Sequence, residues 1–435
     1  MEKEKTLKRD LAIDRFRGIA IFFVVLSLIV GALLGPMAEI LEEQGKELPA
    51  FFALIDKLFS HHARDGVKLI PNFLPNIIGD NRAGLSLADL FAPMFLFIIG
   101  LTIVKSFKSR AEKYGTKQAY FQLAVRSLGL MAIGFLINGL EGWIEVLGGE
   151  EYLAFDLNHK FAMIGVFFAL AVVLVLVISL MLKNKKFKTI ASNILKYTLA
   201  FIGTICLFFI TVRLAEISGG TGVEAFGGNV WDILQNIGLA SLFALLFVNM
   251  GKTGRLVIVA LIFTFFSIFN QFGGAAITTR VIEGGVPGAL SSSALILLGS
   301  VFVEIWNNKK LYFTLTGTLT VLGLILTFGV QLLFTKRGYT PNYVMLTAAL
   351  SSLIYAGLSL LNNFKPKFAF FTWWGSSAIL TYTSAYTLAL LMGGTLLILE
   401  LVIPVWAFIV IAVVIVDLFT LMNWSLTRKG KFVRI

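Results

Sequence analysis

Cysteine is nearly absent from this chain: one residue, Cys206, in 435, set within an apolar run. That excludes an intrachain disulfide and leaves no thiolate cluster for a metal, so no metal is expected. Histidine is almost as scarce, with only His61, His62 and His159. Charge is thin as well. Asp, Glu, Lys and Arg make up 14% of the residues against 57% hydrophobic, and the mean hydropathy is +0.85. A water-facing surface of ordinary polarity cannot be built from this composition. The chain also lacks a Walker phosphate loop, a GxSxG elbow and a dinucleotide-binding fingerprint, so ATP-driven transport and hydrolase chemistry lose their usual support. No internal repeat and no low-complexity linker divides it, and residues 1–435 read as a single transmembrane domain.

What the chain does have is apolar stretches of about twenty residues, the length that crosses roughly 30 Å of hydrocarbon as a helix. The expected fold is all-α, a polytopic bundle of about twelve spans at 13–34, 88–107, 119–146, 159–182, 196–214, 229–250, 256–275, 287–306, 312–335, 342–362, 371–392 and 398–424. The first apolar run outlasts a signal peptide and carries no cleavage pattern, so its span is expected to be retained. Placing the N-terminus in the cytoplasm puts twenty-six of the 37 Lys and Arg on that side and ten on the other. This is the positive-inside bias of a multi-pass cell-membrane protein with both termini cytoplasmic. The formal charge of +12 then needs no partner beyond the lipid bilayer, and nucleic acid is not expected.

One loop is long. Residues 36–88 lie on the extracytoplasmic side between the first two spans, and loops of that length usually carry function. Within it AFFALIDKLFS at 50–60 is amphipathic enough to form a re-entrant or capping element. The adjacent pair His61 and His62 is a candidate general base, since imidazole passes protons near neutral pH. Arg126 sits about 10 Å into the third span at helical rise, where an ionisable group is costly and therefore a functional candidate; Asp417 is a candidate partner for it.

Several blocks then resemble a family. AIDRFRGIAIFF, with Asp14, Phe16, Arg17 and Gly18, is similar to the DxFRG opening of the transmembrane acyltransferases related to heparan-alpha-glucosaminide N-acetyltransferase. LADLFAPMFLFIIGLTI at 87–103, with Asp89 and Leu90, resembles its second-helix motif. Arg126 with SLGLMAIG resembles its third-helix arginine, and WDILQNIGLASLF at 231–243 its LQRIG element, with Asn236 where arginine is usual. PGALSSSALILLGS, TKRGYTPNYVMLTAAL and WWGSSAILTYTSAY follow in the family's order; in the last, Ser377 replaces an asparagine and Tyr382 matches.

The resemblance implies transfer of an acyl group from cytosolic acetyl-CoA or another acyl-CoA to an extracytoplasmic sugar or glycan. Asp14, Arg17 and Arg126 would then serve the donor, because a guanidinium gives forked hydrogen bonds to phosphate. On the far side Asp89, Trp231, Gln235, Lys336, Thr340, Tyr343, Ser377 and Tyr382 would serve the acceptor, with Trp231 stacking on a sugar face. The sequence departs from the family ahead of Asp89. Gly79 and Asp80 stand where its reactive histidine falls, so either His61 or His62 is delivered by the loop, or Asp80 is the base, or this branch has lost the transferase chemistry. A homodimer is compatible with all of this. The competing class is a secondary transporter of a sugar or amino sugar, to which twelve spans and the buried Arg126 also suit; a lipid-handling scaffold is the third.

Overall fold

The computed structural model of the protein describes residues 10–59, 87–147, 193, 195–204, 231–274, 278, 282–330, 332–336, 338–361 and 369–428. Regular structure among the described residues is entirely helical. In chain order the elements are α1 (Leu11–Glu43), α2 (Ala50–Phe59), α3 (Leu87–Tyr114), α4 (Thr116–Leu147), α5 (Ile233–Leu245), α6 (Lys252–Phe269), α7 (Gly285–Ile305), α8 (Lys309–Leu324), α9 (Pro341–Leu361), α10 (Ala369–Ser376), α11 (Ala378–Ile398) and α12 (Val405–Arg428). Among the described residues nine helices, all but α2, α5 and α10, are long and apolar enough to cross a membrane. The multi-pass reading therefore stands.

The twelve expected spans are refined as follows. The span at 159–182 lies outside the described residues, and of the one at 196–214 only the helical residues 195–204 fall within them. The segment expected at 229–250 is a shorter apolar helix, α5, which begins after Asp232. The segment at 371–392 is broken at Ser377 into α10 and α11. The long loop starts later than expected, because α1 continues through Pro36 to Glu43. Its residues 50–59 are indeed helical. Phe52 of α2 is buried and packs edge-on to Phe408 of α12 at 5.3 Å, while the Ser27 hydroxyl of α1 donates to the Phe59 carbonyl at 3.2 Å. Ser27 lies sixteen residues before the end of α1, so α2 descends beside that helix by most of its own length of about 15 Å.

Helix starts follow side-chain chemistry. Asp10 caps α1 by accepting from the Ala12 N–H at 3.0 Å, and Asn308 caps α8 by accepting from Leu311 at 3.1 Å; each relieves one of the orphan donors of a first turn. Small residues then decide which helices touch. A Cβ on Gly100 of α3 would lie 2.1 Å from the Ile296 carbonyl of α7, and one on Gly299 of α7 would lie 2.2 Å from the Phe97 carbonyl of α3. Gly18 of α1 and Gly375 of α10 meet backbone in the same way, at Phe371 and Asp14. Without an apolar driving force between helices in lipid, such close backbone approach is what holds a bundle together. Burial ranks the helices accordingly. The apolar windows of α7 and α3 are 78% and 72% inside the protein, and that of α12 only 17%, so α3 and α7 form the axis and α12 faces outward.

Candidate functional site

Around the N-terminal ends of α3, α5, α7 and α9, polar side chains are drawn into the bundle. Two short segments organise them, one before α7 and one before α9. Glu283 and Tyr339 both hold positive φ, 52° and 47°, flanked by Gly284 and Gly338 at 73° and 84°. The left-handed region is costly for a side chain, and non-glycine residues held there concentrate at functional sites. The two segments lie back to back: a Cβ on Gly284 would come within 2.4 Å of the Gly338 Cα. Glycine is required at both positions.

This strain aims Glu283 at two donors. Lys336 Nζ lies 2.7 Å from Glu283 Oε1, and the Tyr339 hydroxyl donates to Oε2 at 2.5 Å. The Ser291 hydroxyl of α7 in turn donates to the Tyr339 carbonyl, and Thr340 closes the segment by accepting from the Thr335 N–H at 3.1 Å. Burial raises the Tyr339 hydroxyl well above its ordinary pKa, with the charge of Glu283 adding to it; the hydroxyl is therefore a fixed donor. From α9 the Tyr343 hydroxyl donates to the Asp89 carbonyl at the start of α3, and both residues are fully buried. Asn236 of α5 accepts from Ser292 of α7 at 3.4 Å.

Asp232 stands just ahead of α5. Its side chain reaches no further into that helix than the Ile233 N–H, and the Tyr382 hydroxyl of α11 donates to it at 3.5 Å. Asp232 is only partly buried, yet few waters can surround it. Withdrawal from water pushes its carboxyl up to about 6, the charge of Glu283 pushes the same way, and the Ile233 N–H, Lys336 and Tyr382 oppose.

A second polar group lies toward the C-terminal ends of α3 and α5, beside the first half of α4. Arg126 of α4 is exposed into a cleft of about 40 Å³ lined by Thr102, Ser106, Ser127 and Ser241. That is room for about three waters. Arg110, which donates to the Ser106 carbonyl at 3.2 Å, and Arg17 are near enough for their charges to bear on Arg126. Arg17 pairs with Asp14 at 3.5 Å. Arg126 and Asp417 form no ion pair, and Asp417 is exposed on the outward-facing α12. The spacing between the two groups is set by α5, where Asp232 and Ser241 are nine residues apart, about 13 Å at helical rise.

The expected residues thus sort themselves. Asp89, Lys336, Thr340, Tyr343 and Tyr382 come together at the first group, and Asp14, Arg17 and Arg126 at the second. Gln235 is fully buried but turns toward α4, where a Cβ on Gly134 would meet its Oε1 at 2.1 Å. Trp231 is also fully buried, packed with Met131, Phe135 and Ala289, and its indole N–H has no hydrogen-bond partner among the described residues. Ser377 is buried at the break between α10 and α11, its carbonyl accepting from Thr381 at 3.1 Å. His61, His62 and Asp80 lie outside the described residues. No group of three metal-ligating side chains occurs among the described residues.

Sequence reading missed Asp232, Asn236, Glu283 and Tyr339. The signal for Glu283 and Tyr339 was local, a charged or aromatic residue beside glycine in Glu283-Gly284-Gly285 and Gly338-Tyr339. Compared with models of known protein families and with characterised proteins, the chain matches none.

Proposed function

We propose that the protein is an integral membrane acyltransferase that moves an acetyl or longer acyl group from acyl-CoA to a sugar or glycan acceptor across the membrane. The observation that carries this reading is the pairing of two polar groups on shared helices. A cleft lined by Arg126, with Arg110 and Arg17 near enough for their charges to bear on it, suits the phosphates of CoA. About 13 Å away along α5, carboxylates, a lysine and tyrosine hydroxyls suit a polyhydroxylated acceptor. The order of sequence blocks from Asp14 to Tyr382 supports the same family resemblance. On this reading the arginine side faces the cytoplasm of the cell membrane, where acyl-CoA is made, and the Glu283 side takes the acceptor. The test uses purified protein in proteoliposomes with labelled acetyl-CoA on one side and a mixture of amino sugars and oligosaccharides on the other. Acylated product is expected only when both are supplied. The absence of any turnover of acyl-CoA by folded protein sinks the proposal.

A second reading rests on a separate observation. Each strained segment follows a π-helical stretch, 270–274 after α6 and 325–329 after α8. Interrupted helices beside a buried ion pair are how secondary transporters build a substrate site. Solute uptake without consumption of acyl-CoA in the same vesicles would establish this reading against the first.

A further inference from the structure

The transferase reading needs a base that removes the acceptor proton, and we propose that Asp232 is that base. This inference rests on the proposed function; the geometry that selects Asp232 is independent of it. Three carboxylates belong to the buried group. Glu283 has both oxygens engaged, one by Lys336 and one by Tyr339, so an acceptor would have to displace one of these donors to reach it. Asp89 is fully buried in the first turn of α3 and already engaged. Of the three, Asp232 alone keeps accessible surface, and it is steadied only by the Ile233 N–H and one long contact to Tyr382. It also stands at the end of the helix whose other end, at Ser241 and Leu245, lines the Arg126 cleft. A thioester anchored by its phosphates at that cleft would have its acyl end directed along α5 toward Asp232.

The step balances as follows. The acceptor oxygen or nitrogen attacks the thioester carbonyl carbon while its proton passes to the Asp232 carboxylate. The carbon–sulfur bond then breaks with its electron pair on sulfur, and the Asp232 carboxylic acid returns the proton to the departing thiolate. Charged or titratable groups facing Asp232 are Tyr382 from α11, Glu283 from the segment before α7 and Lys336 from the segment before α9. Only the ionised carboxylate can accept the proton, so the rate should climb with pH through the range near 6 and level off above it.

The experiment compares wild type, Asp232→Asn and Tyr382→Phe in the acetyl-CoA assay across pH, with acetyl-CoA binding measured separately. Asp232→Asn should lose about 100-fold or more of the turnover, the low end of general-base effects, while binding acetyl-CoA as the wild type does. Tyr382→Phe removes a hydrogen bond that favours the carboxylate and should move the rising limb to higher pH, which a merely structural role would not do. Inactive wild type overturns the transferase reading and this inference with it. Active wild type with an equally active Asp232→Asn overturns the inference alone. If Asp232→Asn does not fold, an unmoved limb in Tyr382→Phe overturns it.

Discussion

At the scale of single residues, the Lys336–Glu283 pair is the feature with the largest energetic stake. Both side chains are nearly withdrawn from solvent, at 10% and 6% exposure. Taking two charges out of water is repaid only while each keeps the other, and removal of one partner leaves a buried charge uncompensated. Lys336→Met should therefore cost about 3–5 kcal/mol, read as a lower unfolding temperature of the purified protein in detergent. Glu283→Gln, which keeps the shape and the Tyr339 contact, should cost less, and adding it to Lys336→Met should restore part of the loss. If the two single changes simply add, the residues are not coupled as their geometry requires. Half of this pair was legible in the sequence. Lys336 stood in a block with a recognisable order, whereas Glu283 lay in a glycine-rich turn where an exposed charge is ordinary. Its partner is 53 positions away in sequence, and neither hydropathy nor local spacing could join them.

At the scale of helices, glycine positions determine whether the site residues meet at all. Gly100 and Gly299 bring α3 against α7, and these helices carry Asp89 and the Ser291–Ser292 pair into the buried group. Gly100→Ala must push the backbones apart, at about 1–3 kcal/mol for overpacking, and should lower acyl-CoA turnover together with thermal stability. Gly317 of α8 is the control. A Cβ there meets nothing within 4 Å, so Gly317→Ala should be neutral or stabilising by up to about 1 kcal/mol through helix propensity. Equal damage from both changes would refute the idea that contact between α3 and α7 shapes the site. The nine long apolar helices among the described residues were readable from apolar run length, since hydrocarbon thickness sets it. Helix ends were less so: α1 runs through Pro36 because the apolar pattern of 37–41 continues to find packing partners, and α11 starts only after the break at Ser377. Such boundaries depend on neighbouring helices, which hydropathy does not see.

At the scale of the whole molecule, orientation decides which polar group faces the cytoplasm. Lys113 in the last turn of α3, Lys252 and Lys309 at the starts of α6 and α8, and Arg428 at the end of α12 all lie on the side where α1 begins. Among the described residues the opposite side carries fewer cations, and one of them, Lys336 ahead of α9, is paired with Glu283. Lys and Arg near span ends are retained in the cytoplasm, so the Arg126 cleft should open inward. In a Cys206→Ser background, Lys46→Cys beyond α1 and Lys252→Cys at the start of α6 both offer exposed positions. A membrane-impermeant maleimide should label the first in intact cells and the second only after permeabilisation. The reverse pattern would turn the arginine cleft away from the compartment that holds acyl-CoA. Donor phosphates could not then reach Arg126 from the cytoplasm, and a carrier that opens its carboxylate group to each side in turn would become the better account of the same residues.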